Sequence, residues 1–132
     1  MSRENVELFL RATELYTSGD VEGTLELVDP DVVWEPLRAA MQGAYHGHAG
    51  MRRFFADTAE SFDSFRPEYA EVRDLGDGRV LALGRLHVRG KGSGIETDVP
   101  IAGIATFRDG RITRWKDHGD PQRALQAAGL EE

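Results

Sequence analysis

The sequence predicts an α+β domain, with helices first and a run of antiparallel strands after, the helices packed on one face of a curved sheet. Three observations predict it. Apolar residues recur near the 3.6-residue helical spacing up to Phe62, and from Arg66 onward the period changes to two. Gly76-Asp77-Gly78 and Asp109-Gly110 punctuate the second half as hairpin turns. Asp120-Pro121 then restarts a helix, an N-cap residue followed by the proline that favours the first helical position.

Each element follows from its residues. Val6, Phe9, Leu10, Thr13 and Tyr16 make one face of a helix over 4–18, with Ser2 as its candidate cap and Gly19 as its stop. Asp20 caps a short second helix carrying Val21, Leu25 and Val28, which Pro30 is expected to end. Val32-Val33-Trp34-Glu35 reads as a strand, followed by a twelve-residue loop containing Pro36, Gly43 and Gly47. Met51, Phe54, Phe55, Thr58 and Phe62 form the apolar stripe of a third helix. Strands are expected near 67–75, 79–90, 95–107 and 111–118, with Gly90, Gly92 and Gly94 in a looser connection. A last helix, 121–128, stops at Gly129.

Composition narrows the function classes. The 132 residues fit one domain, 1–132, with no repeat or linker. A net charge of −7 argues against nucleic acid, which needs a basic surface. No polybasic cluster suits an anionic membrane, and no apolar run approaches the roughly 18 residues of a spanning helix. No signal-peptide core follows Met1, and the expected compartment is the cytoplasm. With no cysteine, a disulfide framework and a thiolate metal site are both excluded.

Two strands carry the candidate chemistry. On the last, Trp115 and Asp117 are two residues apart and share a face, so an acid stands beside an aromatic ring. On the middle strand, Arg85 and His87 continue the row of Leu81 and Leu83, while Leu86 and Val88 share the other face. Both faces begin apolar, so a second copy of the chain is expected to cover the face that the helices leave open, in a homodimer formed through Leu86 or Val88 and residues of the 95–107 strand. His46 and His48 flank Gly47 without a nearby carboxylate triad, and helix-entrance polarity explains them better than a metal. The Arg89–Gly94 loop has the glycines of a phosphate cradle but no helix after it, and reads as a hairpin connection.

The order of elements resembles the nuclear transport factor 2-like superfamily, in its SnoaL-like branch, over nearly the whole chain. The resemblance rests on Leu27-Val28-Asp29-Pro30-Asp31-Val32-Val33-Trp34, on Gly43-Ala44-Tyr45-His46-Gly47, on Phe107-Arg108-Asp109-Gly110-Arg111-Ile112 and on the terminal Ala124–Leu130. It implies a cone: a strongly bent sheet wrapped round a pocket that N-terminal helices close (a cystatin-like α+β barrel), commonly dimeric. The superfamily includes ketosteroid isomerase, polyketide cyclases, limonene epoxide hydrolase and non-catalytic members, so fold alone does not carry function. Arg85 and Asp117 match the arginine and last-strand aspartate of the epoxide hydrolase pattern. His87 stands where that pattern has its middle aspartate, so the set is incomplete.

The resemblance and the residues together imply a cofactor-free, metal-free enzyme acting on a small apolar carbonyl compound by proton transfer, as an isomerase, cyclase or lyase. Asp117 would be the acid/base, with His87 and Arg85 stabilising an enolate or orienting the base. Trp34, Tyr16, Tyr45, Phe54, Phe55, Phe62 and Trp115 would supply the apolar wall. Asp117 can equally be the structural partner of Arg85. The alternatives are a ligand-binding protein without turnover and a dimeric interaction module.

Overall fold

The protein, described here from a computed structural model, is resolved into elements over residues 2–37 and 42–130. In chain order these are α1 (Ser2–Thr17), α2 (Val21–Glu26), β1 (Val28–Glu35), β2 (Tyr45–His46), α3 (Gly47–Ser61), β3 (Phe62–Asp74), β4 (Arg79–Gly90), β5 (Glu96–Arg108), β6 (Arg111–Asp117) and α4 (Pro121–Ala127). The strands form one strongly curled, unclosed sheet in the order β2-β1-β6-β5-β4-β3. Of the loop expected after β1, residues 38–41 lie outside the described residues.

Local chemistry accounts for most boundaries. The Asp20 carboxylate accepts the Gly23 N–H at 2.8 Å, which caps α2. Asp120 does the same for α4 through Gln122 N–H, with Pro121 in the first turn. Asp109 and Gly110 have φ of 54° and 78°, the two left-handed residues of the hairpin joining β5 to β6. Asp20→Ala is expected to cost about 1 kcal/mol, the usual worth of such a cap, read as a lower denaturation midpoint with an unchanged slope.

Four expectations need correction. The sheet is mixed: β1 pairs with β6 in parallel, Trp34 beside Trp115 and Glu35 beside Lys116. The chain reaches β6 from β1 through β2, α3 and the three strands β3 to β5, so the two can run the same way. Pro30 does not end α2, which stops at Glu26. It lies within β1 where the β1–β6 register shifts between Val28 and Val33, a place where its missing N–H costs no ladder bond. Phe62 opens β3 rather than closing α3, because the chain turns extended at that residue (φ −135°, ψ 139°) with no intervening loop. The first helix, finally, already includes Ser2.

The curled sheet carries an apolar row on each face, and each row is packed against helix residues. Strand alternation sends Val80, Ala82, Ile101, Ala105 and Trp115 inward, where Phe9, Leu25, Met51 and Phe54 from α1, α2 and α3 meet them. The intervening Leu81, Ala102 and Ile104 point outward and pack under Ala124 and Ala128 at the chain's end. So the short terminal helix covers the outer row of Leu81, Ala102 and Ile104. Leu86 belongs to the inner face, where it lines a cavity. Val88, two residues along, has the same parity. No helix among the described residues is long and apolar enough to cross a membrane.

Candidate functional site

Between the helices and the concave face lies a cavity of about 420 Å³. Its wall is mostly ring. Phe9 from α1 stands 5.1 Å from Tyr69 and 5.5 Å from Trp115, centroid to centroid, and Trp115 stands 6.0 Å from Trp34. Tyr16, Phe54 and Phe65 extend the wall, with centroid distances of 5.7 to 6.4 Å. Trp34 and Trp115 meet because the parallel β1–β6 register sets them side by side. A volume of this size suits a ligand of small-molecule dimensions held by apolar contact.

Asp117 is the acid of this cavity. It follows Trp115 by two residues, so it shares the inner face, at the point where β6 ends. Its Oδ1 accepts the N–H of Gly119 at 2.8 Å and that of Ala102 at 3.3 Å. The side chain thus takes over a ladder position just past the Gly103–Asp117 pair, where β5 and β6 part. Burial pushes its pKa above the usual carboxylate value, and the two backbone bonds only partly oppose that. Among the described residues both bonds land on Oδ1, so the lone pairs of Oδ2 stay available to a ligand.

Tyr69 is the residue that sequence reasoning missed. It lies on β3 and lines the same cavity, and burial, with the Asp117 charge adding to it, raises its phenol pKa so that it stays protonated. A protonated phenol beside a carboxylate is a hydrogen-bond donor beside a proton acceptor. The signal was present in the period-two row Phe65, Pro67, Tyr69, which β3 turns inward against Val88, Leu86 and Gly84. Reading that stretch only as a strand hid it.

Arg85 and His87 do not join Asp117. They share the row of Leu81, and that row faces outward, away from the cavity. His87 is held there by two carboxylates, Nδ1 to Asp98 Oδ1 at 2.6 Å and Nε2 to Glu68 Oε1 at 2.9 Å. The register Arg66–His87–Asp98 lines up three strands, and Glu68 reaches in along β3. Arg85 donates to the backbone oxygen of Asp98 at 3.3 Å, so it is not the partner of Asp117. Alternation correctly kept Arg85 and His87 on one face; the error lay in choosing which face was concave.

The hydrogen bonds that His87 donates to Asp98 and then to Glu68 raise its pKa. A raised folded-state pKa means that the stabilisation is complete below the ordinary histidine value, about 6.5, and is lost as pH rises through the raised one. The difference in melting temperature between wild type and His87→Gln should therefore be largest near pH 6, below the ordinary value of about 6.5, and should shrink as pH rises through the raised one. A pH-independent difference would show that His87 contributes by packing alone.

Of the remaining expected wall residues, Tyr16, Trp34, Phe54, Phe62 and Trp115 line the cavity. Tyr45 and Phe55 do not. The Tyr45 ring packs on the Phe54 edge and its hydroxyl donates to Asp57 Oδ2 at 2.7 Å, on the outer side of α3. Phe55 sits behind Tyr16, at 5.3 Å. His48 Nε2 bonds the Val28 carbonyl at 3.0 Å, a tether between α3 and β1. Among the described residues, no three His, Asp or Glu side chains are grouped as metal ligands would be.

Several solved structures share this architecture. An NTF2-like protein of unknown function from Burkholderia pseudomallei superposes with a TM-score of 0.79 at 24% identity, over 96% of this chain and 97% of its own. TerC, crystallised with polyporic acid, superposes with a TM-score of 0.77 at 28% identity, over 96% of this chain and 98% of its own. A protein with a ketosteroid isomerase-like fold from Catenulispora acidiphila, in complex with trimethylamine, gives 0.76 at 18% identity, over 94% and 93%. No curated protein matches the chain. The family model of the SnoaL-like domain matches residues 9–115, from the first ring of the cavity wall to Trp115, and the chain belongs to the SnoaL-like domain family.

Proposed function

We propose that the chain binds a small, ring-containing carbonyl compound in the aromatic cavity and moves a proton on it, with Asp117 as the acid/base. The observation that carries this reading is a carboxylate of raised pKa, tied down at one oxygen only, in a cavity otherwise walled by rings. Such an environment raises the proton affinity of the carboxyl, the direction that a general base needs. Asp117 would take a proton from the carbon next to the carbonyl and return it elsewhere on the same ligand. Tyr69 would donate a hydrogen bond to the carbonyl oxygen as charge develops there. That role replaces the one first given to Arg85 and His87, which stand outside. The complex of TerC with polyporic acid supports a ring-bearing oxygenated ligand.

The test uses the two tryptophans, since both line the cavity and the chain has no others. Polyporic acid and a panel of aryl and cyclic ketones should quench their fluorescence. Bound ketones should then exchange their α-hydrogens with deuterium, followed by NMR. Quenching without exchange would make the protein a binder rather than a catalyst. Absence of quenching across the panel would remove the cavity as the ligand site.

A further inference from the structure

The rim of the cavity beside Asp117 is built from a contact that no part of the acid/base reading uses. The parallel β1–β6 register pairs Glu35 with Lys116, so Pro36 and Leu37 run alongside the turn that follows Asp117. Leu37 lines the cavity with Asp117, yet it is 54% exposed, an unusual position for a leucine so close to a buried acid. Its methyls rest on Gly119. A β-carbon placed on Gly119 would lie 2.8 Å and 3.2 Å from them, and Gly119 also has φ of +75°. Gly119 therefore does two things at once. Its N–H holds Asp117 Oδ1 at 2.8 Å, and its bare Cα seats Leu37.

We infer that Leu37 is a positioning residue for Asp117, an apolar cap seated on Gly119 that keeps water from the solvent side of the carboxylate. This rests on the acid/base reading for its purpose but not for its geometry. A leucine half in water adds little to folding, because most of its surface is not removed from solvent. Its value lies in what it covers. Among the described residues, rings stand on the cavity side of the Asp117 carboxyl, and Leu37, with Pro36, stands at its rim. A carboxyl opened to water on one side loses part of the desolvation that favours its neutral form. Tyr69 from β3 is the titratable group that shares the cavity with Asp117, while Glu35, Arg114 and Lys116 act on His118, the next residue along, and the substitution of Leu37 alters none of these side chains.

The experiment follows the Asp117 carboxyl directly, by carbon NMR through an acid titration, in wild type, Leu37→Ala and Leu37→Met. In Leu37→Ala the carboxyl should lose proton affinity severalfold, with its midpoint moving toward the ordinary carboxylate value and the melting temperature nearly unchanged. Leu37→Met, which restores apolar cover, should bring the midpoint back. An unmoved midpoint in Leu37→Ala overturns the inference, as does a Leu37→Met titration indistinguishable from that of Leu37→Ala. Because the readout is the titration and not turnover, a wild-type protein that fails to exchange ketone hydrogens would sink the acid/base reading alone. An intact exchange reaction with an unmoved midpoint would sink the role of Leu37 alone.

Discussion

Asp117→Asn should fold at least as stably as wild type near neutral pH and lose two to four orders of magnitude in proton exchange on any ketone the cavity accepts. The stability half of this expectation follows from the bonds. Asparagine keeps a carbonyl oxygen that can accept the Gly119 and Ala102 N–H groups, so the turn after β6 retains its anchor. What it removes is a carboxylate that burial disfavours when charged. The sign is fixed by linkage: a folded pKa above the unfolded one gives stability that is complete below the unfolded value, about 3.9 for aspartate, and lost as pH rises through the folded one. Wild type should therefore lose stability relative to Asn between acid and neutral pH, and melts at about pH 4 and pH 7 read that directly. Were Asp117 the counter-charge of Arg85, the same substitution would strand a cation and cost about 3–5 kcal/mol. A loss of that size, or exchange that survives in the Asn variant, would end the catalytic assignment.

How much of this was legible in the sequence depends on which physical rule each feature obeys. Local rules were readable. The caps at Asp20 and Asp120 and the Asp109-Gly110 turn sit where their chemistry puts them. So does the pairing of Trp115 with Asp117 on one strand face, since alternation needs no partner to be known. Relations between distant segments were not. Alternation states that Arg85 and His87 oppose Leu86, yet nothing local states which side the sheet curls toward, and that choice decides cavity against surface. That the row of Leu81, Ala102 and Ile104 is covered from within the chain was not readable either, because a seven-residue helix gives no sign of what it packs against. The parallel pairing of β1 with β6 was equally invisible. That pairing brings Trp34 to Trp115 and Leu37 to Gly119, so the rim at Leu37 was out of reach of local rules, while Tyr69 depended on which face of β3 turns inward.

The same dependence on distant backbone makes Gly84 the position where one methyl group should do most harm. Gly84 lies mid-strand in β4, opposite Tyr69, where the β3–β4 register shifts between Tyr69 and Glu71. At that bulge β3 presses onto the glycine. A β-carbon there would lie 2.0 Å from the Glu68 carbonyl oxygen and 2.7 Å from the Tyr69 Cα. Both are backbone atoms, so no side-chain rotation can relieve the clash, and β3 must move off β4. Gly84→Ala is expected to cost about 1–3 kcal/mol or more, the usual range for forced overpacking, and to lower the melting point by roughly 4 °C per kcal/mol. A stability loss alone would not tie Gly84 to the site. The second expected effect does: β3 carries Pro67 and Tyr69 into the cavity wall, and the Tyr69 ring lies 6.3 Å from Trp115. Displacing β3 should change Trp115 fluorescence in the folded variant at low temperature and weaken quenching by bound ketones. A Gly84→Ala protein that melts like wild type would show that the bulge is not set by this glycine. One that melts early but binds normally would show that Tyr69 holds its place without it.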